Sequence, residues 1–318
     1  MILDDLLSKR VVLLSGKGGT GKSVVGAALA LAARDRGKRV LLVEIDAPLE
    51  AACYLGATNA GPRVAEALPG LFTVNLDPAG VMAEYVRRTV KVDALARRVL
   101  DSPIYQRFFA AAPGLPELMV LGRILVFEEE RLGWPRRPRF DLIVVDAPAT
   151  GHGLAFLKVP LAASRAVPVG PVGSNARRIL DLLRDAKRTA LVLVAIPEEM
   201  AVVEAVEFHR LAVEEVGIRP AAAVLNLCHE RRLTQAQEAT VLRLVSARAE
   251  GRLGRGVRLQ AALVAARRHI RRRKLTAFYQ TRLRRSLPLP LVSLPYLFRE
   301  ELGTEALHVL AERLGTAS

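Results

Sequence analysis

A doubly wound α/β fold, a mostly parallel sheet carrying a helical insertion, is what this 318-residue sequence predicts, on three observations. Short runs rich in valine and leucine recur along the chain, apolar on both faces as the strands of a covered parallel sheet are. Helical periodicity separates most of them, and that alternation implies right-handed crossovers with helices on both sheet faces. One long stretch breaks the rhythm and keeps helical spacing where a single crossover helix belongs.

Taken in order, the first strand is expected at 10–15, followed by a glycine-rich loop and a helix over 23–34. Strands follow at 39–45 and 72–76. The stretch 78–134 reads as the insertion, with helical spacing throughout. In it Phe108, Phe109, Leu115, Leu118, Met119, Leu121, Ile124, Leu125 and Phe127 supply more apolar surface than a two-helix cap needs. Ordinary packing on the sheet and a groove for a client both account for them. Strands resume at 141–145, 190–196, 221–227 and 289–294. Before the last of these, the segment 252–286 is rich in arginine and has no acidic residue, and it is densest at 267–274. It reads as a solvated basic helix or as a surface for anionic lipid or nucleic acid, the last with only Phe278 and Tyr279 interleaved for stacking. One domain spanning 1–318 is expected.

Lysine and arginine number 47 against 32 acidic residues, a net charge of +15, which suits an anionic partner or simply an arginine-rich proteome. Cys53 and Cys228 are the only cysteines and lie far apart. Neither a disulfide framework nor a paired-cysteine zinc clamp is available within one chain, so no structural zinc is expected and a cytoplasmic protein fits best. The longest apolar run, 154–172, is broken by Lys158, Arg165 and prolines, and no membrane span is predicted. Asp4 and Asp5 precede the first strand, unlike the cationic start of a signal peptide.

The loop after the first strand reads Gly16-Lys17-Gly18-Gly19-Thr20-Gly21-Lys22-Ser23 and opens a helix at its end, the context that a P-loop requires. Glycines let backbone amides turn inward around phosphate oxygens, and the helix N-terminus adds partial positive charge. The residues Gly16 to Ser23, with Val24 behind them, are therefore the candidate ATP cradle. Lys22 is placed on the β- and γ-phosphates and the Ser23 hydroxyl on Mg2+. Asp46 and Asp146 each stand at the carboxyl end of an apolar strand, where ligands collect in open α/β sheets. Asp46 is the candidate for orienting the attacking water. Asp146 is the candidate for holding Mg2+ through its water shell.

Lys17 directly after the first glycine resembles the signature lysine of the deviant Walker A ATPases. The segment Asp146-Ala147-Pro148-Ala149-Thr150-Gly151-His152 resembles the second switch of the arsenical pump-driving ATPases and of the ATPases that deliver tail-anchored membrane proteins, which usually read Asp-Thr-Ala-Pro-Thr-Gly-His. Ile196-Pro197-Glu198-Glu199, Asn226 and Leu294-Pro295-Tyr296-Leu297 match further motifs of that family in order, so the resemblance covers nearly the whole chain. It implies a P-loop NTPase fold and ATP hydrolysis in a homodimer, with Lys17 reaching the partner's nucleotide. It also implies adenine contacts from Asn226, Pro295 and Tyr296, and γ-phosphate sensing by Thr150, Gly151 and His152.

Two departures stand out. After Asp46 the family continues Pro-Ala-His-Asn, whereas this chain has Ala47-Pro48-Leu49-Glu50, which puts the hydrolysis rate in question. The clustered cysteines that bind metalloids in arsenite pumps, and the tandem second ATPase half, have no counterpart in this sequence. Three roles follow as expectations. The first is an ATPase that hands a membrane-protein client or other hydrophobic segment to a partner, using the insertion. The second is the energising subunit of an arsenite efflux pump. The third is a partitioning or positioning ATPase holding DNA or anionic membrane.

Overall fold

The computed structural model describes residues 2–46, 50–57, 61–90, 92–103, 112–148, 150–250 and 256–316. Helix α1 (Ile2–Ser8) precedes β1 (Val11–Ser15), the P-loop and α2 (Lys22–Asp35). Then come β2 (Val40–Ile45), α3 (Glu50–Tyr54), β3 (Ala65–Leu68) and β4 (Leu71–Leu76). Helices α4 (Pro78–Val90), α5 (Asp93–Leu100) and α6 (Leu115–Glu129) follow, and β5 (Arg131–Leu132) and β6 (Arg137–Pro138) close a short hairpin. The remainder is β7 (Leu142–Asp146), α7 (Thr150–Ala166), α8 (Gly170–Arg184), β8 (Thr189–Ala195) and α9 (Glu199–Leu211), the last extended by a π-turn over Ala212–Val216. It ends with β9 (Ala222–Cys228), α10 (Gln235–Ala249), α11 (Val257–Ser286), β10 (Leu291–Pro295) and α12 (Thr304–Thr316).

Eight strands form one sheet in the order β10-β9-β8-β1-β7-β2-β4-β3, parallel except for β3 against β4. The two-residue period of the strands sorts their side chains into two cores. Val11 and Leu13 of β1, Ile143 and Val145 of β7, and Leu191 and Leu193 of β8 join one core, shared with α6, α8 and α9. Val12 and Leu14, Leu142 and Val144, and Ala190 and Val192 join the other, under α1, α2 and α12. Both faces are covered, which is why these strands are uniformly apolar in sequence. Small residues let α2 lie close to the sheet: a Cβ on Gly26 would sit 2.8 Å from Leu14 Cδ1.

The seven expected strands are present, each within two residues of its predicted ends. Pro288 and Pro290 delay β10 to Leu291. Helical spacing does not run throughout 78–134: α6 stops at Glu129, and Gly133 at φ 65° turns the chain between β5 and β6. On α6, Leu118, Leu121, Ile124, Leu125 and Phe127 are buried in the core, so most of that apolar surface packs on the sheet. Phe108 and Phe109 lie outside the described residues. From Val257 on, the basic segment is helix α11, antiparallel to α10 through the pairs Arg273–Glu238 and Arg248–Gln260 and anchored in the core by Leu283 at its far end, while 252–255 lie outside the described residues.

Candidate nucleotide site

β1 is the central strand of the sheet and delivers the chain to the point where the strand order reverses, with β7 on one side and β8 on the other. In doubly wound sheets that point is where ligands lodge. The loop there can only be built with glycine. A Cβ on Gly16 would sit 2.1 Å from the Val194 carbonyl oxygen, and Gly19 and Gly21 both take φ 81°. Thr20 is fully buried and donates its hydroxyl to the Lys17 carbonyl at 2.9 Å, which closes the turn. Lys22 curls over the loop, with Nζ 3.1 Å from the Gly16 carbonyl and 3.3 Å from that of Lys17. Helix α2 begins at Lys22 after Gly21, which has no side chain to cap it. The first backbone N–H groups of α2 are therefore left to a ligand. Val24 is among them: its side chain packs at the core boundary, so its N–H is what it offers.

Ser23 Oγ donates to Asp146 Oδ2 at 2.6 Å, joining the first turn of α2 to the end of β7 across 123 residues. Asp146 is buried, with 8% exposure. A hydroxyl and a carboxylate side by side at the mouth of a phosphate cradle form an all-oxygen donor pair, which suits a hard cation such as Mg2+. Among the described residues other than its chain neighbours, none lies within 4 Å of the position a Cβ on Gly19 would take, so the loop is uncovered at Gly19. The residues present fit magnesium and a polyphosphate.

Asp46 ends β2 exposed, in left-handed backbone at φ 46°, and its N–H donates to the Leu76 carbonyl at 3.1 Å. The other described non-glycine residues with positive φ are Leu227 at 56° and Phe298 at 52°, so all three lie at the carboxyl edge of the sheet. Such conformations cost about 1–3 kcal/mol each and cluster at functional sites. Ala47, Pro48 and Leu49 lie outside the described residues, as do the side chains of Glu50, Thr150, Gly151 and His152. The backbone of Thr150, Gly151 and His152 forms the first turn of α7.

Lys17 stays within its own subunit here: Nζ is 3.0 Å from Glu204 Oε1 of α9. Asn226, buried at the end of β9, donates Nδ2 to the Thr20 carbonyl at 3.0 Å. Its amide nitrogen lies 2.4 Å from where a Cβ on Gly21 would be. Asn226 is thus a fastener of the loop as well as a candidate for the base.

Beyond Asn226 lies a cleft of about 380 Å3, bounded by Pro197 and Glu198, by Leu227 and His229, and by Tyr296 and Phe298. Pro295 ends β10 and aims the Tyr296 N–H at the Cys228 carbonyl, 2.9 Å away. The Tyr296 ring stacks on His229 at 5.1 Å and 8°, and Arg232 lies 4.1 Å over the Phe298 ring. Burial holds the His229 pKa below the ordinary histidine value, and His269, Arg272 and Arg232 push the same way.

The family profile described as anion-transporting ATPase matches residues 9–168, which contain the P-loop, Asp46, Asp146 and the first turn of α7. This chain belongs to the anion-transporting ATPase family. It is 32% identical over 213 residues to the ATPase BagA of Mycobacterium tuberculosis, covering 65% of this chain and 61% of that protein. It is 26% identical over 233 residues to an arsenical pump-driving ATPase of Escherichia coli, covering 68% of this chain and 39% of that one. Over 167 residues it is 26% identical to the ATPase GET3C of Arabidopsis thaliana, covering 48% of this chain and 41% of the other. The chain thus spans about three fifths or less of the length of these curated relatives.

Three further residues near the site take their place only in the folded chain. Glu44 is fully buried and accepts the N–H groups of Ala51 at 2.7 Å and Ala52 at 3.3 Å, tying the end of β2 to the start of α3. A carboxylate inside the apolar run Val40–Ile45 was its signal. Glu204 had none, since it is one acid among several on α9. His229 follows the Asn226 motif closely, but only the fold brings Tyr296 and α11 against it.

Proposed function

We propose that the chain binds ATP with Mg2+ and hydrolyses it to ADP and phosphate, working as a homodimer that opens and closes with the γ-phosphate. The observation that carries this reading is the 2.6 Å bond from Ser23 Oγ to Asp146 Oδ2, which sets a hydroxyl and a carboxylate at the mouth of a glycine-built phosphate loop. Lys22 leaves the loop carbonyls and takes the β- and γ-phosphate oxygens, a short movement because its Nζ already lies over the cradle. The α2 N–H groups hold the remaining oxygens. Ser23 and Asp146 would hold magnesium, which when bound neutralises charge on the transferring phosphoryl group. Asp46 orients the water, and the backbone strain at that residue supports a positioned carboxylate. Asn226 fixes the loop from below and, with Pro295 and Tyr296, faces the base.

In the homodimer Lys17 exchanges Glu204 for the phosphates of the partner's nucleotide. An exposed pair of this kind is worth at most about 1 kcal/mol, so it restrains Lys17 without locking it. Thr150, Gly151 and His152, whose backbone opens α7, relay the γ-phosphate signal into that helix. Helices α4, α6 and α8 border a largely apolar groove of about 500 Å3, lined by Met82, Tyr85, Met119 and Val172 among others. That groove is the surface we assign to a hydrophobic client. The cytoplasm, which suits two free thiols, is the compartment we assign. Metalloid capture is disfavoured, because burial pushes the Cys228 thiol up to about 12 and Cys53 stands apart from it.

Steady-state phosphate release and light scattering, with ADP and with ATP, test the reading. Turnover and ATP-dependent dimerisation are expected for the wild type. Lys17→Ala is expected to keep nucleotide and lose turnover, Asp46→Asn to keep the ATP dimer and lose turnover, and Glu204→Gln to dimerise at lower concentration. A wild type that stays monomeric with ATP, and a Lys17→Ala variant that turns over equally well, would overturn the trans-acting lysine.

A further inference from the structure

Helix α11 carries arginines and one lysine and not a single acidic residue over its 30-residue length. Its two sides treat those charges differently. On the side facing α10, Arg273 lies 3.0 Å from Glu238, so the fold itself neutralises that cation. On the other side, Val264, Arg267, Arg268, Arg271, Leu275 and Phe278 share one face, each having another of the set three or four residues away, and all are exposed. Val257, one further heptad back, continues the stripe at 80% exposure. Among the described residues, no acid lies within ion-pair distance of Arg267, Arg268, Arg271 or Lys274. The stripe runs about 30 Å along the helix.

We propose that this face of α11 docks flat on an anionic phospholipid bilayer. Charge complementarity selects the partner's sign, since a row of unneutralised cations draws anionic headgroups and repels a basic surface. The apolar residues select its kind. Phe278 at 59%, Val264 at 53% and Leu275 at 37% exposure stand between the arginines rather than on a face of their own. Against a bilayer they enter the acyl boundary while the guanidinium groups remain at headgroup level. A nucleic-acid backbone would use the cations but leave Val264 and Leu275 in water, and Phe278 is the only ring on the stripe available for stacking. The helix lies on the membrane and does not enter it, because no described helix is long and apolar enough to cross one. The surface stands apart from the phosphate cradle, so the inference does not depend on nucleotide hydrolysis.

Flotation with phosphatidylcholine vesicles and with equimolar phosphatidylcholine–phosphatidylglycerol vesicles tests it on the full chain without nucleotide. Arg267, Arg271 and Lys274 are the cations to change, and Val264 and Phe278 the apolar residues, because Arg268 and Leu275 also line the cleft of His229 and Tyr296. The wild type is expected to float with the anionic vesicles only. The triple variant Arg267→Gln, Arg271→Gln, Lys274→Gln is expected to lose roughly tenfold or more in affinity. The double variant Val264→Ser, Phe278→Ser is expected to bind at low salt and be stripped off by salt that the wild type withstands, since the apolar contribution is not screened. These substitutions are at the surface, and an unchanged melting curve confirms that each variant is folded. Equal flotation with neutral and anionic vesicles, or none with either, overturns the proposal. So does tighter binding to duplex DNA than to anionic vesicles with no effect of the Val264→Ser, Phe278→Ser double change, which would assign the face to nucleic acid.

Discussion

At its amino edge the sheet holds Glu128 and at its carboxyl edge Asp146, two buried acids with 3% and 8% exposure that meet different chemistry. Glu128, near the end of α6, takes Arg188 at 2.7 Å and Arg10 at 3.5 Å, and Arg10 also donates to the Asp141 carbonyl at 2.9 Å. Cation and anion are matched inside the fold, and that cluster ties the starts of β1, β7 and β8 to α6. Asp146 instead accepts a hydroxyl, beside a loop that glycines hold open and a helix start with uncapped N–H groups. Burial of an acid therefore does not distinguish a site from a strut. What surrounds it does: guanidinium groups close the first, while the second faces donors that await a ligand.

The largest expected effect breaks this contrast if it fails. Ser23→Ala is expected to lower phosphate release by roughly a hundredfold to a thousandfold, the size of losing one group that stabilises transferring charge. Its thermal stability should stay within about 1 kcal/mol of the wild type, the worth of one hydrogen bond. Glu128→Gln is expected to do the reverse, costing about 2–3 kcal/mol in a denaturant melt because Arg10 and Arg188 are left half-buried without their acid. Its turnover per folded molecule should be unchanged. If Glu128→Gln were inactive while fully stable, the amino edge would be more than a strut.

Asn226 sharpens the same comparison at smaller scale. Asn226→Ala removes the donor to the Thr20 carbonyl, and about 1–3 kcal/mol of loop stability should go with it. If fastening is its main work, affinities for ATP and GTP fall together. If it chiefly reads the base, ATP affinity falls and the preference over GTP collapses. Competition binding with both nucleotides separates the two.

These clusters also mark what the sequence could disclose. The P-loop was legible because eight consecutive residues carry it, and the backbone there tolerates little but glycine at Gly16, Gly19 and Gly21. The seven apolar strands were legible because burial on both faces leaves one composition. Strand β3 was not, since Ala65–Leu68 is a half-exposed edge with a glutamate, recognisable only by its pairing to β4. The β5–β6 hairpin has two residues a side, too few to show a period. Ser23 and Asp146 could each be picked out, but their bond could not. The family resemblance marks Asn226 for the base, but its bond to Thr20 spans 206 residues that only the folded sheet brings together. Lys17 and Glu204 are the same case: a surface acid on a helix carries no mark until the chain places it beside the loop.

The smallest effect is expected on the nucleoside side, and its sign is fixed by His229. Burial, then His269, Arg272 and Arg232, holds its pKa below the ordinary 6.5, so around and below that value the unfolded chain binds a proton more readily than the folded one. Its contribution to stability is therefore complete above pH 6.5 and is lost as pH falls through the lowered folded value. His209, lowered by burial, acts in the same direction. A melting series between about pH 8 and pH 5, above the range of ordinary carboxylates, should show the wild type weakening on acidification. His229→Asn should weaken less steeply, and the difference between the two slopes isolates His229 from His209. Parallel slopes would mean that protonated His229 is accommodated beside Arg272 and Arg232. The cleft would then be more open to water than the stack of His229 on Tyr296 implies, and the contrast between a closed strut and an open site would extend to this side of the sheet.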